Sequence, residues 1–252
     1  MSSRTFRKIL YASNHAFRST MSRIGLDFYV LPLPKKRAIT PGDAREALLI
    51  NETNWLRVPM YISISSYLQK NMKRDFFQGK LAVEIGGSEG TLMKLLGSMG
   101  CTLQVAPDYP STDVESLSYD GGSIDMVILD QVFEHLRRPW KAVNEIGRVL
   151  RANGICICSS VFVYPVHKGF TGSFGDFFRF SPDGLRALFD GFRILMAEGW
   201  GNAQAVKLMY DHSPRGPEGP PPLTKEEAQR AGLYSYTDDL NYVMTWCIAQ
   251  KT

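Results

Sequence analysis

Several things are missing from this chain of 252 residues, and each absence narrows its function. No apolar run approaches the roughly 20 residues that span a bilayer, so no membrane helix is predicted. None of the four cysteines, Cys101, Cys156, Cys158 and Cys247, forms a C-x-x-C pair. All four fall in apolar stretches, which reads as free, buried thiols in a reducing compartment rather than as disulfides or a zinc cluster. The cytoplasm is the expected location, and no metal ligand is assigned. No internal repeat is visible. There is also no G-x-G-x-x-G, which counts against a nicotinamide dinucleotide fold.

A basic core is lacking as well. Residues 1–37 hold eight Lys and Arg against the single acid Asp27, and the rest of the chain has 21 basic residues against 24 acidic ones. The net charge of +4 therefore belongs to an N-terminal arm. No nucleic-acid partner is expected from such a distribution, whereas peripheral contact between the arm and anionic lipid is permitted by it.

What is present is a change of rhythm. Phe6, Ile9, Leu10, Phe17, Met21 and Ile24 follow helical spacing, and a second helix is predicted to start at Thr40-Pro41. An apolar, aromatic-rich stretch then runs from Trp55 to Phe77. From Lys80 onward strands, loops and helices alternate, the signature of a parallel sheet. Strands are predicted at Leu81–Ile85, Cys101–Val105, Asp125–Leu129, Ile155–Phe162 and Tyr242–Ala249. Helices are predicted at Thr91–Met99, Pro139–Leu150 (stopped by Asn153-Gly154) and from Ser181-Pro182-Asp183 through Phe189. Residues 214–222 contain five prolines and are read as a loop. The expected organisation is a helical arm or cap over 1–78 and a core over 79–252, with the Pro-rich loop at 211–238.

The strongest local signal is Glu84-Ile85-Gly86-Gly87-Ser88-Glu89-Gly90 between a strand and a helix. Small residues let a backbone approach a ligand, and a helix start offers unpaired N–H groups. Glu84, just before the turn, is placed to accept from a ligand's ammonium group.

The next hundred residues resemble the class I methyltransferases, in particular the methyltransferase type 11 group. Glu84-Ile85-Gly86 with Gly90 is similar to the family's acid–aliphatic–G-x-G-x-G. Asp113-Val114-Glu115-Ser116-Leu117 with Ser123-Ile124-Asp125-Met126-Val127 resembles its D-x-x-x-L and S-F-D-x-V segments. Asp130-Gln131-Val132-Phe133-Glu134-His135 resembles its V-L-E-H stretch, and Glu145 with Arg148-Val149-Leu150 resembles its E-x-x-R-V-L helix. Asp176-Phe177-Phe178-Arg179-Phe180-Ser181-Pro182 is similar to a later D-x-x-R-x-[ST]-P segment.

The resemblance implies an α/β, Rossmann-like, seven-stranded, mostly parallel sheet sandwiched by helices. It implies S-adenosylmethionine as cofactor and S-adenosylhomocysteine as product. The turn Gly86, Gly87, Ser88 and Gly90, with Glu84, would meet the methionine end. Asp113 and Val114 would meet the adenine, and Asp130 and Gln131 the methionine moiety or the acceptor. Ser88 stands where the middle glycine is usual. The ribose-binding acid aligns near Ala106, which leaves Asp108 to substitute for it, across a short connection from Pro107 to Thr112.

Methyl transfer to an alcohol also needs a proton removed, usually by His or a carboxylate. His167, in Tyr164-Pro165-Val166-His167, and His135 follow predicted strands at the carboxyl edge, and His167 is the favoured base. Arg179 is a candidate partner for an anionic substrate group or else for Asp176 or Asp183. Tyr164 and Tyr61 are candidates for the acceptor cleft, Tyr61 equally a core residue. The expected reaction is O-methylation of a small saccharide or secondary metabolite, by a monomer or homodimer. The alternatives are a catalytically inactive binding or scaffold subunit and an N-methyltransferase.

Overall fold

A strand buried on both faces alternates its side chains between two cores, and the central runs Ile124–Leu129, Ile155–Val161 and Met244–Ala249 do this. The computed structural model describes residues 56–87, 90–168, 174–211, 224, 226, 227 and 240–252. Its elements are α1 (Val58–Asn71), β1 (Leu81–Glu84), α2 (Thr91–Ser98), β2 (Thr102–Val105) and β3 (Ile124–Leu129). They continue with α3 (Pro139–Val149), β4 (Leu150–Val161), α4 (Pro182–Leu188), β5 (Phe192–Trp200), α5 (Ala203–Asp211) and β6 (Met244–Lys251). The helices predicted near residues 3–24 and at Thr40-Pro41, and the Pro-rich segment 214–222, lie outside the described residues.

The sheet order is β2-β1-β3-β4-β6-β5. β1 to β4 run parallel, and β6 is antiparallel to both β4 and β5. β5 thus points with the first four, and the sheet is mostly parallel. Met126, Ile128, Ile155, Ile157, Trp246 and Ile248 face a cluster closed by α1, α2 and α5. Their neighbours Val127, Leu129, Cys156, Cys158, Cys247 and Ala249 face a second cluster closed by α3 and α4. Helices on both faces of such a sheet make the Rossmann-like sandwich. All four cysteines are free thiols, and no helix among the described residues is long and apolar enough to cross a membrane.

Three expectations are corrected. The described sheet has six strands rather than seven. Between β2 and β3 the chain makes turns, with no further strand and no helix among residues 106–123. Pro107 and Pro110 lack an N–H for any ladder, and the segment's one isolated bridge joins Asp113 to Ser116. Side chains of α3 hold it in place: Glu145 accepts from Leu117 N at 3.0 Å, and Arg148 donates to the carbonyls of Leu117 and Tyr119.

The second correction concerns β4, which begins at Leu150, directly after α3, rather than at Ile155. Leu150 pairs with Ile124 and Ile155 with Met126, so a bulge takes up the extra residues. Asn153 sits there at φ 62°, and a Cβ on Gly154 would lie 2.9 Å from two carbonyl oxygens. Asn153-Gly154 therefore marks a bulge inside a strand and not a helix stop. Third, β5 and α5 are elements that the sequence pattern did not single out.

Candidate active site

The chain places β2 on one side of β1 and then crosses to place β3 on the other. Ligands of open α/β sheets bind outside the strand carboxyl ends at such a switch point. Two segments meet there: Glu84 to Gly87 after β1, and Asp130 to Val132 after β3. Ile85 N donates to the Ile128 carbonyl at 3.0 Å, and Ala106 N to the Glu84 carbonyl at 2.8 Å.

At the first segment Glu84 is 2% exposed, and its Oε2 accepts from Gly90 N, at the start of α2, at 3.2 Å. Gly86 has φ +78°, and a Cβ on it would meet Val132 Cγ2 at 2.9 Å. A Cβ on Gly87 would meet Glu84 Oε1 at 2.8 Å. The glycines thus leave the carboxylate a surface that side chains would occupy. Ser88 lies outside the described residues.

At the second segment Ser159, near the end of β4, gathers three groups. Its hydroxyl donates to Asp130 Oδ1 at 2.5 Å and accepts from Gln131 N at 3.0 Å and Gln131 Nε2 at 2.8 Å. Asp130 Oδ2 accepts from the hydroxyl of Tyr61, on α1, at 2.7 Å. Gln131 has φ 61°, uncommon for a residue with a side chain. Its buried Oε1 has no hydrogen-bond partner among the described residues, which costs about 1–3 kcal/mol unless a ligand supplies a donor. A backbone held off its preferred region beside an unsatisfied acceptor is what a binding site retains. The carboxylates of Glu84 and Asp130, the open Gln131 oxygen and the two glycines fit a ligand with a cationic amino-acid end.

Farther along the edge the candidates separate. Asp113 is exposed, with Oδ1 accepting from Glu115 N at 2.9 Å, and Val114 is buried among Val83, Ile85 and Val132. Asp108 is exposed, and its carbonyl closes a turn with Ser111 N at 2.9 Å.

His135 and His167 come together, their rings edge to face with centroids 4.8 Å apart. The Tyr164 ring lies 5.1 Å from that of His167. Burial lowers the pKa of both histidines below the ordinary 6.5. Glu134 is wholly buried, accepts from the Ser160 hydroxyl at 2.9 Å, and is pushed up to about 7 by that burial. Arg179 donates to both carboxylate oxygens of Asp176 and to the carbonyls of Phe178, Tyr164 and Pro165. Asp176, 1% exposed at its side chain, also accepts from His167 N at 2.8 Å. Arg179 thus stands as a clamp on the His167 loop. Sequence reasoning missed Ser159 and Glu134 as site residues, whereas Asp176 was expected as a partner of Arg179 and is one. The polar pair Ser159-Ser160, closing an otherwise apolar run, was the available signal.

The family model described as a methyltransferase domain matches residues 84–158. Comparison with curated protein sequences returns no match. Similar solved structures include an S-adenosylmethionine-dependent methyltransferase from Mesorhizobium loti, with TM-score 0.49, 11% identity, and 78% of this chain and 98% of that chain covered. A geranyl diphosphate methyltransferase in complex with GPP and sinefungin has TM-score 0.47 and 13% identity, covering 92% of this chain and 93% of that one. A SAM-dependent methyltransferase from Aquifex aeolicus has TM-score 0.45 and 10% identity, covering 84% and 94%. From the acid before the glycine turn into β4, the chain is similar to the methyltransferase domain family.

Proposed function

We propose that the protein methylates a hydroxyl oxygen of a small acceptor, of saccharide or secondary-metabolite type. The observation that carries this reading is the His135–His167 pair beyond the carboxyl ends of β3 and β4. A hydroxyl is a poor nucleophile until its proton is removed, whereas an amine needs chiefly alignment. His167 is assigned to activating the acceptor hydroxyl, with His135 beside it and Tyr164 lining the approach.

When bound, S-adenosylmethionine supplies a methyl group on a positive sulfur. Glu84, Gly86, Gly87 and Gly90, together with Ser88, are assigned to its methionine end, and Asp130 and Gln131 to the side nearest the acceptor. Asp113 and Val114 are assigned to the adenine, and Asp108 to the ribose. Tyr61 closes the site from α1, and Arg179 fixes the His167 loop through Asp176, leaving it as a substrate contact only at its rim.

The test is a screen of hydroxyl and amine acceptors with isotope-labelled donor, read by mass spectrometry. The expected result is O-methylation that falls about 100-fold in His167→Ala with donor affinity unchanged, the usual size of a proton-transfer contribution. Transfer to nitrogen only would replace this reading with an N-methyltransferase. Donor binding with no turnover on any acceptor would replace it with a binding subunit.

A further inference from the structure

The turn after β3 and the loop after β4 converge on Glu134, His135 and His167, whose ligand atoms, one from each, lie within 4.8 Å of one another. All three side chains present lone pairs. His135 Nδ1 is 2.6 Å from the carbonyl oxygen of Gly175, which can only accept, so Nδ1 carries the proton and Nε2 the lone pair. His167 Nδ1 faces two acceptors, the Pro165 carbonyl at 3.3 Å and the Asp176 carboxylate at 3.3 Å, which fixes the same tautomer. Glu134 uses Oε2 for Ser160, while its buried Oε1 has no hydrogen-bond partner among the described residues. His135 Nε2 stands 4.0 Å from that oxygen, beyond hydrogen-bond reach. Arg179 is committed to Asp176 and three backbone carbonyls. Three acceptors therefore converge with no hydrogen bond between them, and Arg57 and Arg179 are the cations whose charge bears on Glu134.

We propose that Glu134, His135 and His167 bind a divalent cation of the zinc class. Two imidazoles and one carboxylate suit such an ion, and three protein ligands leave a coordination position open. In a tetrahedral shell two ligands each about 2.1 Å from the ion stand about 3.4 Å apart. The most separated pair must thus close by about 1.4 Å, which takes rotation of the side chains around the bound ion. The outer partners are already in place. Each histidine turns its Nδ1–H to a carbonyl, Asp176 backs His167, and Ser160 orients Glu134, the arrangement that holds metal-binding histidines in position.

For its chemical purpose the inference rests on the methyl-transfer reading. An acceptor hydroxyl on the open position would lose its proton to solvent more readily. Its oxygen would then form the bond to the methyl carbon while the sulfur–carbon pair returns to sulfur. His167 would act on the acceptor through the cation, as one of its ligands.

The test needs no turnover. Full-length protein stripped with a chelator is titrated with zinc chloride by calorimetry and with cobalt chloride by visible absorption. One cation per chain is expected. Affinity should fall more than about 10-fold in Glu134→Gln, which keeps the shape of the side chain, and in His135→Ala/His167→Ala. His15→Ala/His212→Ala should bind like the unaltered chain. Equal affinity in the unaltered and double-histidine proteins, or no binding at millimolar zinc, overturns the site. Donor binding, measured separately in chelator, tells the two readings apart. Cation binding lost from a donor-binding protein defeats the inference alone, and donor binding absent from a cation-binding protein defeats the methyl-transfer reading alone.

Discussion

The hydroxyl of Tyr61 donates to Oδ2 of Asp130 at 2.7 Å, joining α1 to the end of β3 across 69 positions of sequence. Aromatic spacing between Trp55 and Phe77 reads first as packing, and Tyr61 does lie in the hydrophobic cluster with Met60, Ile64 and Leu68. Its polar tip, however, ends on a carboxylate at the switch point of the sheet, where a buried tyrosine's hydroxyl finds a partner.

Tyr61→Phe keeps the ring and removes the donor. Asp130 retains Ser159 on its other oxygen. The expected loss is about 1.5–3 kcal/mol in urea denaturation, the scale of a hydrogen bond to a charged group. Donor affinity should fall by several-fold in calorimetry as the Asp130 carboxylate gains freedom. Unchanged affinity in the variant would confine Tyr61 to the core.

Gly87→Ala tests the turn more locally. The added carbon would stand 2.8 Å from Glu84 Oε1, and that carboxylate is buried and already tied to Gly90 N. The carboxylate must shift, so donor affinity should drop about 10-fold or more, as in Glu84→Ala. The melting temperature should change little, because β1 and α2 keep their own ladders and packing. Normal donor affinity in Gly87→Ala would mean that the ligand does not depend on Glu84 standing where it does.

What could be read in the sequence was what depends on local rules. The apolar runs of β1, β3 and β4, and Ser181 as a cap accepting from Gly184 N at 3.0 Å, follow from periodicity and capping chemistry. The short Pro107–Thr112 connection left no room for an intervening helix, and the chain makes turns there. That Glu145 and Arg148 of α3 would hold the turns replacing it needed tertiary contacts. β5 was hard to see because its residues alternate between half-buried and exposed over the first positions, at a sheet edge next to β6 alone. At the site, Glu84 and the glycines announce themselves by adjacency. Asp176, by contrast, reaches His167 only through a folded loop, and Ser159 reaches Asp130 and Gln131 only across the β3–β4 pair.

Asp125 separates the family pattern from the chemistry. It falls in the Ser-Ile-Asp-Met-Val segment that resembles the methyltransferase motif, yet it sits at the amino end of β3, opposite the switch point. Oδ2 accepts from Leu81 N at 3.0 Å and from Arg151 Nη1 at 2.7 Å, and Oδ1 from Lys80 Nζ at 3.2 Å. Burial pushes its pKa up, but the Leu81 amide, Lys80 and Arg151 together hold it below the ordinary 3.8. A carboxylate lowered in this way contributes stability that is full above the unfolded value and is lost as pH falls through the folded one. Asp125→Asn keeps the shape and removes the charge. At pH 7 it should cost about 2–3 kcal/mol, since two cations and an amide lose a charged acceptor. The gap to the unaltered protein should narrow as the pH drops below about 4. Donor affinity should be untouched, because the substitution lies at the far edge of the sheet. Denaturant unfolding of both proteins at several pH values checks this. A gap that stays constant down to acid pH would assign the role of Asp125 to packing and take the charge out of the account.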